Sequence, residues 1–430
     1  MLKTYTYNSL SAQEVERLIH RNTDEGRTIE STVKSIIDSV RKNGDKELFN
    51  LAEKFDRTKL DKLYLDKSEI EDLAYGISRE SQRALEIAFQ NIHKFHSYQN
   101  RRERIVETMP GVKCWRENRP IEKVGLYIPG GTAVLPSTLL MLGAPARIAG
   151  CKEIVVCTPP NENGQINGYI AYCLLLLKID RIYLAGGAQA VAAMAYGSES
   201  IPKVDKIFGP GNQYVTLAKK IVLSDSHVSI DMPAGPSEVL VLADGSANPS
   251  YVAADLIAQA EHGADSQSIL VSDNAELITA VNTELERQIE SLPRKDFARQ
   301  ALQNSYAIKV GHMEEGIQFS NLYAPEHLII QVDNWEPLSR KVQNAGSVFL
   351  GHLTPESAGD YASGTNHTLP TSGYARAYSG VSVDSFIKKI TFQTLTEEGV
   401  RQIGNVVETL AQVEELEGHK RAMAIRAKKE

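Results

Sequence analysis

Apolar positions in the first hundred or so residues recur with the period of an α-helix. Val33, Ile36, Ile37 and Val40 fall at i, i+3, i+4 and i+7, which places them on one face of a helix. A second helix is predicted over residues 78–98. The region offers little chemistry, and we expect a mainly helical N-terminal region over residues 1–115.

From about Lys123 the pattern changes to short apolar runs that alternate with helical stretches. The runs KVGLYIPGG, EIVVCTPP, RIYLAGG and KVDKIFGPG are each predicted to be a strand. Strands that alternate with helices form βαβ units and a parallel sheet. Each of these strands ends in glycine or proline at its carboxyl end, which is where open α/β sheets bind ligands.

A second alternation of the same kind begins after Pro236, with strands predicted at SEVLVLAD, SQSILVS, YAIKV, HLIIQV and SVFLG. The sequence therefore predicts two α/β units, over residues 116–236 and 237–380. Residues 381–430 are expected to form a helical tail. Thr394 and Glu397 have the spacing of a capping box at the start of its first helix.

Composition narrows the class of protein. The 430 residues are too many for one hydrophobic core, and 42% hydrophobic with 23% charged residues is an ordinary globular balance. A net charge of −7 argues against a nucleic-acid or anionic-membrane partner. No apolar run is long enough for a signal peptide or a membrane span. The four cysteines form no CxxC pair and are typical of reduced thiols, so we expect a cytoplasmic protein.

Three glycine-rich strand ends are candidates for phosphate binding. Glycine lets a backbone approach a phosphate, and the following helix N-terminus supplies free N–H donors. None of the three is a GxGxxG fingerprint, so tight β-to-α turns explain them as well as dinucleotide binding does. They are Pro129-Gly130-Gly131, Gly186-Gly187-Ala188-Gln189 and Gly209-Pro210-Gly211-Asn212.

Candidate metal and proton-transfer residues are spread over the second half of the chain. In QAEHG, Gln259 and His262 are three apart in the last turn of a predicted helix, but two residues do not make a zinc site. Glu326 and His327 are adjacent at a strand entry. An ideal strand would point them to opposite faces, so a bend is needed for both to reach one substrate.

A long polar loop and the tail add further candidates. The loop ESAGDYASGTNH carries Asp360 and His367, and the tail carries Glu414 and His419. Loops of this length are usually functional or disordered. An exposed polar residue or an ordinary turn would explain each of these residues equally well.

Taken together, these segments resemble the histidinol dehydrogenase family over residues 123–419. The resemblance implies an NAD-dependent enzyme of histidine biosynthesis that oxidises L-histidinol to L-histidine through the aldehyde, with two NAD per turnover. It also implies two incomplete Rossmann-like domains and an intertwined homodimer. The motifs that carry it are GLYIPGG, LPSTLLMLGAPARIAGC, GGAQAVAA, KIFGPGN, DMPAGPSEVLV, QAEHG, PEHLI, GSVFLG and ESAGDYASGTNH.

The resemblance also implies a role for individual residues. One zinc ion (Zn2+) per subunit would hold the imidazole and amino nitrogens of the substrate. His327 would take the alcohol proton, and Glu326 would activate water for attack on the aldehyde. The implied zinc ligands are Gln259, His262, Asp360 and His419.

Substrate and cofactor contacts follow from the same resemblance. Glu414 and His419 would come from the partner subunit, so each active site would need both chains. No functional position departs from the family pattern. The implied substrate contacts are Ser237, Gln259, His262, His327, Asp360, Glu414 and His419. The implied NAD contacts are Tyr127, Gln189 and Asn212.

Three alternatives remain at the level of sequence. The same fold could act on another small alcohol or amino alcohol, although Glu414 and His419 lie at the substrate end. A zinc hydrolase without a nucleotide would use metal-bound water as its nucleophile, and it leaves GGAQ and GPGN unexplained. A non-catalytic nucleotide-binding protein predicts the loss of Glu326 or His327, and both are present.

Overall fold

The computed structural model describes residues 2–20, 26–130, 134–233 and 235–427, which form three β-sheets with flanking helices. Two of the sheets have six strands and are parallel in all pairs but one, which confirms the predicted α/β class. Gly131 of the first glycine-rich strand end lies outside the described residues.

The region before residue 121 contains helices and several strands. Its elements in chain order are β1 (Lys3–Thr6), a 3-10 turn (Tyr7–Ser9), α1 (Ala12–Ile19), α2 (Gly26–Asn43), α3 (Asp45–Leu51), a π-helical turn (Ala52–Asp56), β2 (Tyr64–Leu65), α4 (Lys67–Ala74), α5 (Arg79–Ser97), β3 (Val106–Met109) and β4 (Val112–Pro120).

The first large sheet has the strand order β2-β7-β6-β5-β8-β9. Only β2 is antiparallel to its neighbour. Its further elements are β5 (Lys123–Tyr127), α6 (Pro136–Ala149), β6 (Glu153–Thr158), α7 (Gly168–Leu177), β7 (Ile182–Leu184), α8 (Gly187–Tyr196), β8 (Lys206–Phe208), α9 (Gln213–Asp225) and β9 (Ser229–Ile230).

The second large sheet has the strand order β1-β12-β11-β10-β13-β14, all parallel. Its further elements are β10 (Glu238–Ala243), α10 (Pro249–Ala260), β11 (Gln267–Ser272), α11 (Ala275–Ile289), α12 (Lys295–Gln303), β12 (Tyr306–Lys309), α13 (Met313–Tyr323), β13 (His327–Gln331), α14 (Trp335–Ser339), β14 (Ser347–Leu350) and α15 (Glu356–Tyr361).

Both large sheets are covered on both faces, so their central strands are buried runs of aliphatic residues. Helices α6 and α7 pack on one face of the first sheet, and α2, α8 and α9 pack on the other. In the second sheet, α10, α11 and α12 cover one face and α13 covers the other. Polar side chains are therefore concentrated where the strands begin or end.

The C-terminal segment differs from the expected helical tail because it starts with a strand. It contains 3-10 turns (Tyr374–Arg376 and Val383–Phe386), β15 (Ile387–Leu395), α16 (Glu397–Val413) and α17 (Glu417–Ala427). Strand β15 pairs with β4 along its whole length in a three-stranded antiparallel sheet, β15-β4-β3. The predicted cap at Thr394 is wrong because that residue lies in β15. The N-cap is Thr396, whose side chain accepts the N–H of Gly399.

Strand pairing also connects the N-terminal region to both large sheets. Strand β1 pairs with β12 of the second sheet, and β2 pairs with β7 of the first. The predicted boundaries at residues 115, 236 and 380 stay predictions. No described helix is long and apolar enough to cross a membrane.

Candidate active site

The candidate site lies at the edge of the second sheet where strands β10 and β13 begin. Glu326 comes just before β13, and its carboxylate accepts the backbone N–H of Glu238 at 2.9 Å. Because Glu326 precedes the regular strand, its side chain and that of His327 turn to the same point. Glu326 Oε2 is 3.7 Å from His327 Nδ1. The bend that a shared site requires is therefore present.

His327 is surrounded by hydrogen-bond acceptors. Its Nδ1 lies 3.2 Å from the backbone carbonyl of Glu238 and 3.5 Å from Glu356 Oε1. Its Nε2 lies 3.5 Å from Asp360 Oδ1. Glu356 and Asp360 are one turn apart on α15, so both carboxylates reach the imidazole from one helix. Since a carbonyl can only accept, Nδ1 carries a proton.

Burial and charge set the proton affinities of this cluster. Burial alone would lower the pKa of His327, but the carboxylates of Glu356, Glu326 and Asp360 raise it well above its usual value. Burial raises the pKa of Glu326 to about 7 and that of Glu356 to about 8. Burial also acts on Asp360, but the His327 imidazole holds its pKa below the usual value. The cluster therefore holds groups that exchange protons near neutral pH.

Nitrogen and oxygen donors suited to a metal ion meet beside His327. Ligand atoms of His262, Glu356 and Asp360 lie within 4.8 Å of one another. The side chain of Gln259 is fully buried, and neither of its amide atoms has a partner among the described residues. An unpaired buried amide costs about 1–3 kcal/mol, so this side chain points to a ligand. Imidazole, carboxylate and amide donors fit zinc.

His262 lies outside the helix on which the sequence had placed it. Helix α10 begins after Asn248, which caps it as expected, but it ends at Ala260. A tight turn follows, in which the N–H of His262 approaches the carbonyl of Gln259 at 3.3 Å. His262 is exposed at the rim, although the surrounding protein still lowers its pKa by desolvation.

The remaining substrate-contact candidates lie in two places. Ser237 is half-buried and immediately precedes β10, next to the cluster. Glu414 is the C-cap of α16 and His419 lies on α17, and both are exposed. Within the described part of the chain, the metal-compatible group contains His262, Glu356 and Asp360 but not His419. The tail residues therefore stay predictions that need a second chain.

Glu356 is the functional candidate that the sequence analysis did not single out. It is 1% exposed and contacts His327, and it also belongs to the metal-compatible group. The available signal was its spacing from Asp360, since residues four apart share one face of a helix. The loop looked too polar and glycine-rich for that helix to be predicted.

A separate cavity of about 770 Å³ opens at the carboxyl ends of β5, β6 and β7. All three predicted NAD contacts, Tyr127, Gln189 and Asn212, line it. The Tyr127 hydroxyl accepts the backbone N–H of Gly187 at 3.0 Å, and the Asn212 side chain caps α9. Helices α8 and α9 both begin here, and helix N-termini attract phosphate groups.

The loop before α9 approaches Tyr127 at a glycine. Gly209 has φ +131°, and a Cβ there would overlap the carbonyl oxygen of Tyr127. Only glycine therefore fits this position, which adjoins Tyr127 of the cavity wall.

Helix α6 connects the two sites. Thr138 Oγ1 on this helix lies 3.1 Å from His367 Nε2, and His367 Nδ1 lies 3.0 Å from the backbone carbonyl of Asp360. The side chain of Asn366 donates to the carbonyl of Met141 at 2.6 Å. The loop after α15 therefore holds the cavity side of the first sheet against the cluster on the second.

Comparison with known proteins gives one family. Residues 19–427 match the family described as histidinol dehydrogenase. The chain is 53% identical over 430 residues to "Histidinol dehydrogenase, chloroplastic" of Arabidopsis thaliana, covering 99% of this chain and 92% of the relative. It is 53% identical over 426 residues to the "Histidinol dehydrogenase" of Bacteroides thetaiotaomicron, covering 99% of each. A crystal structure of histidinol dehydrogenase from Elizabethkingia anophelis superposes with a TM-score of 0.96 at 51% identity, covering 99% of this chain and 98% of the other.

Proposed function

Since the chain belongs to the histidinol dehydrogenase family of NAD-dependent oxidoreductases, we propose that it oxidises L-histidinol to L-histidine at the cluster around His327. The observation that carries this proposal is the adjacency of Glu326 and His327, a carboxylate and an imidazole 3.7 Å apart. Together they supply a base for the alcohol proton in the first oxidation and a base for the attacking water before the second, and the carboxylic acid that results loses its own proton to solvent. NAD bound in the cavity of the first sheet would accept the hydride of each oxidation.

His327 is the proposed base for the alcohol. Because its Nδ1 proton is held by the carbonyl of Glu238, Nε2 is the atom that takes the substrate proton. His327 takes that proton in its neutral form, and the imidazolium that results is stabilised by the nearby carboxyl groups of Glu356, Glu326 and Asp360. The imidazole is therefore oriented and electrostatically prepared before substrate binds.

Glu326 is the proposed base for the water that attacks the aldehyde. Its raised pKa of about 7 makes it a stronger base than a solvent-exposed carboxylate. A base works best when its pKa lies near the operating pH. The N–H of Glu238 fixes one carboxylate oxygen, so the other is free to take the proton.

Gln259, His262 and Asp360, with His419 of the partner subunit, are the proposed zinc ligands, and the ion would supply a fixed point for the imidazole and amino nitrogens of the substrate. The unpaired amide of Gln259 and the convergence of His262 and Asp360 support this set. Glu356 is within reach of the same point. Its contact with His327 gives it a second task, which is to orient the base.

A homodimer is the proposed functional unit. Glu414 and His419 are exposed in the single chain, and large apolar side chains are exposed beside them on the tail. Exposed apolar surface of this kind marks interfaces. The exposed tail residues are Val406, Leu410, Val413, Leu416 and Ile425.

Metal removal tests the zinc part of the proposal. Protein stripped with a chelator should lose turnover of L-histidinol with NAD, and added zinc should restore it. L-histidine should be identified as the product by chromatography, with a His327→Asn protein as the inactive control. Full activity in protein shown by elemental analysis to be free of metal would rule out the zinc assignment.

A further inference from the structure

One acidic side chain on the wall of the cavity lacks a hydrogen-bond partner among the described residues. Asp56 ends the π-helical turn and lines the cavity with Tyr127 and Gln189. Its Oδ2 is buried and receives no hydrogen bond. Burial raises the pKa of this carboxyl to about 6, so the group is still mostly ionised at neutral pH. A buried acceptor without a donor is costly, so it points to a donor on a ligand.

The charges on the cavity wall favour some nucleotides over others. The described lining residues include two carboxylates, Asp56 and Glu162, and no lysine or arginine. A ribose 2′-phosphate is usually accommodated by an arginine, whereas free ribose hydroxyls are bound by a carboxylate. The wall therefore suits a dinucleotide whose adenosine ribose carries no 2′-phosphate.

The position of Asp56 places it at the adenosine end of such a dinucleotide. The turn that carries it continues α3, which contacts α2, and α2 packs on α8 and α9. The contact with the candidate active site is made from α6, on the opposite face of the sheet. Because the nicotinamide must reach His327, the adenosine half lies on the face with Asp56.

We propose that Asp56 binds the two hydroxyls of the adenosine ribose and excludes the 2′-phosphate of NADP. A carboxylate oxygen without a partner accepts a hydroxyl proton, while a phosphate at the same place would meet a like charge at a partly buried site. The inference rests on the proposed function, which brings a dinucleotide to this cavity. It assigns cofactor selectivity to the N-terminal helical layer, outside the βαβ unit that ordinarily carries the acidic residue.

Glu162 is the competing residue and the matched control. It follows β6, close to where a Rossmann unit ordinarily carries its ribose-binding acid, and it lines the same cavity. In contrast to Asp56, it is exposed. Asp56→Asn and Glu162→Gln each remove one negative charge from the same cavity and keep the shape of the side chain.

Calorimetric titration of each protein with NAD and with NADP tests the proposal without turnover. Asp56→Asn should weaken NAD binding by about tenfold and raise the ratio of NADP to NAD affinity by at least about tenfold, the order expected for a lost charge-assisted hydrogen bond. Glu162→Gln should change that ratio less than about threefold. The thermal unfolding midpoint of Asp56→Asn should not fall below that of the unmodified chain, since the substitution removes a partly buried charge, and this result shows an intact fold.

Two results would overturn the proposal. One is an unchanged affinity ratio in Asp56→Asn, and the other is a larger shift in Glu162→Gln than in Asp56→Asn. If the unmodified chain binds NAD but does not turn over L-histidinol, the proposed function fails while the selectivity result can still be read.

Discussion

His327 is almost fully buried, and three carboxylates approach its ring. Such a group is expensive to bury unless it is paired. Here His327 and Glu326 also have different hydrogen-bond partners. The carbonyl of Glu238 fixes Nδ1 as a donor, and Glu326 is tied to the neighbouring strand. These distinct partners support the distinct proton-transfer roles proposed for the two adjacent residues.

Replacing Glu326 by glutamine separates the two half-reactions. Glu326→Gln should slow conversion of the aldehyde to L-histidine by about 10²–10⁴-fold, because only that half needs an activated water. Oxidation of the alcohol should fall much less. Supplying the alcohol and the aldehyde separately, and following NADH formation with each, measures the split. Equal losses with both substrates would contradict the assigned role.

Asp255 gives the chain a pH-dependent stability. Burial raises its pKa to about 7, although Gln331 donates to it at 2.6 Å. A carboxyl with a raised folded pKa contributes stability at low pH that is lost as pH rises from about 4 to about 7. Asp255→Asn removes this loss. The free energy of unfolding of the variant, relative to that of the unmodified chain, should therefore rise by about 2–3 kcal/mol between pH 5 and pH 8.

Chemical denaturation at the two pH values measures that difference. Asp61→Asn, at an exposed position, is the matched control and should show little change. An advantage of Asp255→Asn that is the same at both pH values would show that Asp255 does not titrate in the folded protein as expected.

At the scale of residues, the sequence identifies candidate catalytic side chains more readily than it identifies the side chains that surround them in the fold. Glu326 and His327 were visible because they are adjacent in the chain. Glu356 and Asp255 were not, because their significance comes from burial beside His327 and Gln331. The sequence could not predict that side chains of α10, α15 and β13 meet around His327, because these elements are distant along the chain.

The two large sheets present opposite strand ends to their sites. The cavity lies where β5, β6 and β7 end, as expected for an open α/β sheet. The His327 cluster lies where β10 and β13 begin. Helix α10 ends near the same edge and delivers Gln259 and His262 there. The partial negative charge of a helix C-terminus favours a cation at this edge, in agreement with the proposed metal.

A substitution at Gly209 tests whether the loop before α9 belongs to the nucleotide site. Gly209→Ala should raise the Kd for NAD and destabilise the fold by about 1–3 kcal/mol, because its φ of +131° and the nearby carbonyl of Tyr127 leave no place for a Cβ. Gly404→Ala is the control, since a Cβ there meets Ala427 at an ordinary 3.6 Å within a helix.

Nucleotide titration and thermal unfolding of both variants give the comparison. The control should be neutral or slightly stabilising. NAD binding by Gly209→Ala that matches the unmodified chain would show that this loop is not part of the nucleotide site.

Among the elements, sequence predicted the alternating strands and helices better than the small third sheet. The parallel strands are apolar runs bounded by turn residues, which is a strong local signal. Strand β15 is mostly exposed and polar on both sides, and its partner β4 lies more than 260 residues earlier in the chain. Such a strand is specified by pairing, so its own sequence carried too little signal and the tail was expected to be helical.

At the scale of the whole molecule, we propose that one chain holds an incomplete site. The first sheet supplies the cavity, the second supplies the His327 cluster, and α15 with the loop after it joins them. Glu414 and His419 face solvent at the far end of the chain. In the proposed homodimer they act on a partner's site, and their exposure is compatible with that arrangement.

Mixing two inactive variants tests this arrangement. His327→Asn and His419→Ala chains should each be inactive as homodimers. A mixed dimer should regain part of the activity, because one of its two sites would combine the unmodified halves of both chains. Differently tagged chains allow the mixed dimer to be purified before assay. A verified mixed dimer without activity would show that the sites are not shared.

We propose that one site carries an alcohol through to a carboxylate in two oxidations. The most direct measurement is the amount of NADH formed per L-histidinol consumed, read from absorbance with NAD in excess and the reaction run to completion. We expect two NADH per L-histidinol, with L-histidine as the product. One NADH per L-histidinol, with the aldehyde accumulating, would contradict it.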